Sequence, residues 1–150
     1  MTNKINRIVF MGSPEFSVHI LEGLIKNKFN IVGVVTCPDR PAGRGQKIMQ
    51  SPIKKYSLKN KLNLLQPNNL KDPKFIKKLK DLNIDLQLVV AFRMLPKVVW
   101  KIPSRGTINL HASLLPNYRG AAPINWAIIN GENETGVTTF FIDEKIDTGE

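Results

Sequence analysis

Three short apolar runs constrain the fold more than any other feature of this chain. Arg7 to Met11 reads RIVFM, Ile31 to Thr36 reads IVGVVT and Leu86 to Phe92 reads LQLVVAF; none alternates apolar with polar residues. Each is far too short to span a membrane, and each lacks the polar positions of a half-solvated strand. Strands of this kind are buried on both faces, as in parallel sheets covered by helices on either side. The chain is therefore expected to be α/β, with an open, mostly parallel sheet and helices on both faces.

The segment between the first two runs supports that reading. Gly12 turns the chain, Ser13 is a candidate N-cap, Pro14 suits the first helical position and Glu15 sits at the positive end of the helix dipole. Val18, Leu21, Leu24 and Ile25 then form the apolar stripe of a helix ending near Lys28. Strand, helix and strand over about thirty residues make a βαβ unit, whose crossover is expected to be right-handed. The fold is thus Rossmann-like, but the dinucleotide fingerprint is missing. The first turn, MGSPEF, has one glycine where three are needed, and no acidic residue closes the second strand. A P-loop is also absent, since glycine is nowhere followed by Lys-Ser or Lys-Thr.

Further along, Ser51 should cap a helix from Pro52 to Lys61 that exposes Lys54, Lys55 and Lys59, and Leu62 to Gln66 reads as a weak strand. Lys74 to Leu82 has helical spacing, with Phe75, Ile76, Leu79 and Leu82 inward and Lys74, Lys77, Lys78 and Lys80 outward. A short helix over Pro96 to Lys101, a strand over Thr107 to Leu110, a helix over Ala122 to Asn130 and a strand over Gly136 to Ile142 complete the pattern. Between Cys37 and Gln50, two prolines and two glycines argue against any regular element. Arg40, Arg44 and Lys47 repeat a positive charge along that stretch, which by composition alone is a solvated surface loop.

Composition narrows the function classes. With 150 residues the chain can bury one real core. Its 22 Lys and Arg against 12 Asp and Glu give a net charge of +10, which permits nucleic acid as a partner without requiring it. Cys37 is the sole cysteine, so an internal disulfide and a thiolate metal cluster are both excluded, and two histidines offer no metal site. The start MTNKINRIVFMGSP is unlike a signal peptide, and no apolar run is long enough to cross a membrane as a helix. A cytoplasmic protein without a membrane partner is the expectation.

Chemistry concentrates between Thr107 and Ile129. A short apolar strand delivers Asn109 and His111, after which Leu114, Leu115 and Pro116 interrupt a polar loop with apolar groups that neither a helix nor a strand calls for. Tyr118, Arg119 and Gly120 add a ring, a charge and a flexible joint, and Asp147 returns near the end. Ligands of open α/β sheets sit beyond the carboxyl ends of the strands, so Val90 to Leu95 should wall the same pocket. His19, Trp100 and Trp126 read as packing or solvated residues.

The run NLHASLLPNYRGAAPINW, Asn109 to Trp126, with Asp147-Thr148-Gly149 beyond it, resembles the signature of the folate-dependent formyltransferases. Within them, CPDRPAGRGQKIMQSPIK, Cys37 to Lys54, resembles the branch that formylates initiator methionyl-tRNA. The resemblance runs from Ile8 to the last residue. It implies 10-formyltetrahydrofolate as formyl donor, no metal, and Asn109, His111 and Asp147 as the catalytic set. Folate contacts are implied for Ser113, Leu114, Leu115 and Pro116, with Val90, Phe92, Arg93 and Leu95 walling the site. Arg93 stands where such proteins often carry Gly or Gln. The Arg40, Arg44 and Lys47 loop would contact the acceptor arm of the tRNA, with Arg44 as its principal arginine. The 150 residues would be an N-terminal catalytic domain, monomeric and truncated, with a tRNA-binding domain expected beyond Glu150.

Formyl transfer needs an amine placed against the formyl carbon and donors for the oxygen on which charge builds. Asn109 offers an amide N–H and a protonated His111 a charged one, while Asp147 would orient the imidazole and relay the amine's proton through water. Other readings keep parts of this set. Formylation of an amino sugar nucleotide would retain the catalytic residues and discard the role of Arg44. Hydrolysis of 10-formyltetrahydrofolate would call for a different loop after the second strand. A basic RNA-binding module would explain the charge but not Asn109, His111 and the SLLP loop together.

Overall fold

In the computed structural model of the chain, residues 5–112, 130–131 and 136–144 are described. Six strands form one sheet in the order β5-β2-β1-β6-β7-β8. They are β1 (Ile8–Gly12), β2 (Ile31–Val35), β5 (Leu64–Leu65), β6 (Leu86–Val90), β7 (Thr107–His111) and β8 (Thr138–Phe141). All neighbours pair in parallel except β7 and β8. The helices are α1 (Glu15–Lys26), α2 (Pro52–Lys59), α3 (Pro73–Asp81) and α4 (Lys97–Trp100).

Strand β1 shows why the three apolar runs lack alternation. Val9 and Met11 pack with Val35 and Val89 under Phe75 and Leu79 of α3 and Val99 of α4. Phe10, one residue out of phase, packs with Val34 and Val90 under Val18 and Leu21 of α1 and Ile53 of α2. A strand with a core on each side has no position left for a polar side chain. The open, mostly parallel sheet with helices on both faces is the architecture that the apolar runs imply.

The chain first builds outward from β1 through β2 to β5, then crosses back to add β6, β7 and β8 on the other side. The order reverses between β1 and β6, where open α/β sheets leave a crevice beyond the carboxyl ends of their strands. Gly12 and Val90 are register partners at that point. A Cβ on Gly12 would lie 2.7 Å from the Val90 carbonyl oxygen and 2.8 Å from the Ser17 side chain, which itself donates a hydrogen bond to that carbonyl. Neither neighbour is a flexible side-chain end. Gly12→Ala is therefore expected to destabilise the fold by about 1 to 3 kcal/mol, the usual cost of overpacking; a urea midpoint equal to wild type would contradict it.

Several local expectations are corrected. Helix α1 opens one residue later than its N-cap signal implies, with Pro14 at the cap position and no side-chain cap. The Ser13 hydroxyl instead lies 3.2 Å from the hydroxyl of buried Thr36 and accepts from the Cys37 N–H, because a buried hydroxyl needs a partner more than a solvated helix end does. The helix ends at Lys26, two residues early. Ser51 does cap α2, accepting from the Lys54 N–H at 3.0 Å. Asp72 caps α3 in the same way.

The largest correction lies between Cys37 and Gln50. That stretch contains an antiparallel hairpin, β3 (Arg40–Ala42) and β4 (Lys47–Met49), with Arg40 opposite Met49 and Ala42 opposite Lys47. Its glycines make it possible. Gly43 and Gly45 both take positive φ in the connecting turn, and each faces open space. Both strands of a two-stranded ribbon are edges, where a proline such as Pro41 is tolerated.

Candidate active site

Asn109 and His111 lie two residues apart on β7, so the pleat sends both side chains to one face of the sheet, with their Cα atoms about 6.6 Å apart. The register places Asn109 between Val89 and Phe140, and His111 beside Thr138. His111 is buried, whereas Asn109 is half-buried. At the carboxyl end of a parallel strand, next to the switch between β1 and β6, they occupy the expected place for a ligand site.

A buried polar network holds their strand in register. The Gln87 Nε2 donates to the Val99 carbonyl at 3.0 Å and to the Thr107 hydroxyl at 2.9 Å, and that hydroxyl donates to the Trp100 carbonyl at 2.8 Å. Gln87 and Thr107 are almost wholly buried, so these bonds tie β6 and β7 to α4 where no water can replace them. The first residue of β7 is thus anchored, two positions before Asn109 and four before His111. A side-chain pair carried on so supported a strand is held more firmly than one on a loop.

The segment leaving β6 divides its expected tasks unevenly. Val90 and Leu95 are buried in the two cores, on opposite faces of the sheet, so what they offer a ligand is backbone. Ala91 takes a positive φ of 54°, an uncommon conformation for a residue with a Cβ, and it turns the chain abruptly at the strand end. Phe92 is half-buried and Met94 is 75% exposed, so these two carry the available apolar surface. Arg93 turns toward the loop after β5: its two terminal nitrogens donate to the carbonyls of Pro67 at 2.7 Å and Asn68 at 3.0 Å. Burial, followed by the nearby charge of Arg40, lowers its pKa from the usual arginine value.

Arg40, Arg44 and Lys47 are exposed on the hairpin. Arg44 sits at the tip between the two turn glycines, while the register brings Arg40 and Lys47 to one face of the ribbon, opposite Pro41 and Ile48. Lys54, read from sequence as part of a solvated basic face, is instead an ion-pair partner. Its Nζ lies 2.7 Å from Asp39 Oδ2, with its side chain only 15% exposed. Gln66 donates to the other Asp39 oxygen at 3.0 Å. The Lys54 and Gln66 hydrogen bonds hold the Asp39 carboxyl below the ordinary carboxylate range, so it stays ionised at neutral pH. Asp39 and Gln66 carried no sequence signal of their own, since their partners are distant in the chain.

Ser113, Leu114, Leu115, Pro116, Tyr118, Arg119, Trp126 and Asp147 lie outside the described residues, as does most of the expected helix from Ala122 to Asn130. His19 is exposed on α1, and Trp100 packs against the core under α3 and α4. Among the described residues, no group of three or more His, Cys, Asp or Glu could hold a metal, and no helix is long and apolar enough to cross a membrane.

Comparison with known proteins gives this geometry a lineage. A methionyl-tRNA formyltransferase of Flavobacterium johnsoniae is 71% identical over 143 residues, covering 95% of this chain and 45% of that protein. Its counterpart from Bacteroides fragilis is 62% identical over 144 residues, covering 96% and 44%. The chain thus spans about half the length of the curated relatives it matches. Among solved structures, glycinamide ribonucleotide transformylase 1 from Geobacillus kaustophilus superposes with a TM-score of 0.74 at 21% identity, covering 97% of this chain and 79% of that one. A formyltetrahydrofolate deformylase from Pseudomonas syringae does so with 0.69 at 19%, covering 98% and 49%. At such identities the likeness is one of fold. The formyl transferase family model, in contrast, matches residues 6–150, a span that includes the switch-point crevice, β7 and both sequence motifs, and the chain belongs to that family.

Proposed function

We propose that this chain forms the catalytic and donor-binding part of an enzyme that moves a formyl group from 10-formyltetrahydrofolate to the amino group of methionine on initiator methionyl-tRNA. The observation that carries the proposal is the pairing of Asn109 and His111 on one face of β7 at the carboxyl edge of the sheet. Support for the acceptor comes from the exposed Arg40, Arg44 and Lys47 hairpin on that same edge and from the relatives named methionyl-tRNA formyltransferase.

The folate substrate supplies the formyl group, and the donor set on β7 fits it. As the amine attacks the formyl carbon, charge gathers on the formyl oxygen. The carbon's bond to the folate nitrogen then breaks; the amine gives up a proton, the departing nitrogen takes one up through water, and tetrahydrofolate leaves. Asn109 donates its amide N–H to that oxygen, and His111, in its protonated form, donates a charged hydrogen bond. Because His111 is buried, its bond acts where water does not screen it. Asp147 orients the imidazole and passes the amine's proton to water. Phe92 and Met94, the backbone of Val90 and Leu95, and the Ser113, Leu114, Leu115 and Pro116 loop hold the folate. Phosphates of the acceptor arm meet Arg40, Arg44 and Lys47, since guanidinium and ammonium groups on a flexible turn suit nucleic-acid backbone. The enzyme acts as a cytoplasmic monomer, and initiator selection uses a further basic domain beyond residue 150, a reading consistent with the greater length of the relatives.

The test supplies the full-length protein with 10-formyltetrahydrofolate and methionyl-tRNA, with an amino sugar nucleotide as competing acceptor. Formyl-methionyl-tRNA is the expected product, and the folate should raise the unfolding temperature by mass action. Transfer to the sugar alone would overturn the acceptor, and indifference to folate would overturn the reaction.

A further inference from the structure

A ribbon of three residues per strand cannot hold its own direction. Two-stranded hairpins are marginal in water at best, and every residue of β3 and β4 is exposed. Whatever aims this hairpin must therefore act at its base. There, two contacts join the incoming leg to the outgoing leg. The hydroxyls of Thr36 and Ser51 lie 2.7 Å apart, both buried, and Asp39 meets Lys54 at 2.7 Å.

The base is tied in turn to the rest of the sheet. Gln66, just after β5, donates from Nε2 to the Cys37 carbonyl at 3.2 Å and to Asp39 Oδ1 at 3.0 Å. The next two residues, Pro67 and Asn68, give their carbonyls to the Arg93 guanidinium, which reaches across from the end of β6 and lies over the Phe92 ring with 5.1 Å to its centroid. Three segments far apart in sequence thus meet at one charged junction: the exit of β2, the loop after β5 and the exit of β6. From the end of β2 to the end of β7 there are three strand spacings, roughly 14 Å. The arm from Asp39 to Arg44 is five residues, roughly 15 Å long, so a turn of about 10° at the junction would move the hairpin tip by roughly 3 Å relative to Asn109 and His111.

We propose that Asp39, Lys54, Gln66 and Arg93 are positioning residues for the acceptor nucleic acid, setting the direction in which the Arg40–Met49 hairpin leaves the sheet and so where Arg44 meets its phosphates. The inference rests on the hairpin's role in the proposed function. It assigns Arg93 to the brace, because the carbonyls of Pro67 and Asn68 already engage both terminal nitrogens of its fork. It also gives Lys54 a task that its place on a lysine-rich helix conceals.

Gln66→Leu, Lys54→Met and Arg93→Met, made in the full-length protein, test the brace. Each should raise the KM for methionyl-tRNA about fivefold to tenfold, the weight of one or two lost hydrogen bonds. The KM for 10-formyltetrahydrofolate and kcat should stay within about twofold, and Lys54→Arg should restore most of the loss. Trypsin supplies a readout that needs no substrate: cleavage after Arg44 or Lys47 should quicken several-fold in the three variants while the unfolding temperature holds. A folate KM that rises in Arg93→Met with the tRNA KM unmoved would overturn the proposal by returning Arg93 to the donor's pocket. Unchanged tRNA KM and unchanged cleavage would overturn it for the whole junction. If wild type failed to formylate methionyl-tRNA, the proposed function and the acceptor role would fall together, and the trypsin comparison would still decide whether these residues brace the hairpin.

Discussion

Replacing His111 with alanine in the full-length protein is expected to lower kcat for formyl transfer to methionyl-tRNA by at least about a hundredfold, with a much smaller change in KM. Loss of one preorganised donor to a developing oxyanion costs about 3 to 4 kcal/mol, and the loss appears in kcat because the interaction is made in the transition state. Burial enlarges the effect, since the water that enters in place of the ring is neither charged nor oriented. The same burial requires a control, because alanine also leaves a cavity. Thermal unfolding of the variant must show that it remains folded at the assay temperature. Asn109→Ala should cause a comparable loss. With both donors serving one oxygen, as the proposed function has it, the double variant should fall short of the product of the two. A loss under about threefold in His111→Ala would remove this residue from the chemistry and leave it as a buried polar group of β7.

Phe10→Ala should cost the fold about 3 to 5 kcal/mol, the range for truncating a buried aromatic side chain. Phe10 is fully buried at the centre of β1, between β2 and β6, where Val34, Val90, Leu21 and Ile53 close around it. Those neighbours belong to four different elements, so none can shift into the cavity without disturbing a second contact. Domains of this size are stable by only about 5 to 15 kcal/mol, so the variant should sit close to its unfolding threshold. Urea unfolding checks the expectation through a lower midpoint at unchanged slope. A change below about 1 kcal/mol would mean that the core on the α1 side is dispensable.

How far the amino-acid sequence reaches can be judged from particular residues. The runs around Val9, Val34 and Val89 became strands of the parallel sheet because burial on both faces leaves a local mark, the absence of alternation. Asn109 and His111 share a face for an equally local reason, the two-residue period of a strand. The N-cap at Ser51 was legible, since its partner is three residues away. Ser13 misled because its hydroxyl found a partner 23 residues away in Thr36, which no helix-start pattern encodes.

The same distinction of range explains the rest. Prolines and glycines between Cys37 and Gln50 mark turns, and a turn with two strands around it looks in sequence like a loop. Lys54 carries the same charge as its exposed neighbour Lys55, and only the return of the chain to Asp39 separates the two. Arg93 stands beside the expected pocket in sequence, yet its guanidinium is spent on carbonyls 25 and 26 residues away. Sequence by itself determined the α/β class, the buried strands and the pairing of Asn109 with His111, because periodicity and burial are properties of neighbouring residues. Tertiary structure alone decided the strand order, the antiparallel edge at β8, the hairpin and the partners of Asp39, Lys54 and Arg93. Which charge meets which carbonyl depends on how distant segments are brought together, and one strand's pattern carries no record of the next strand's place.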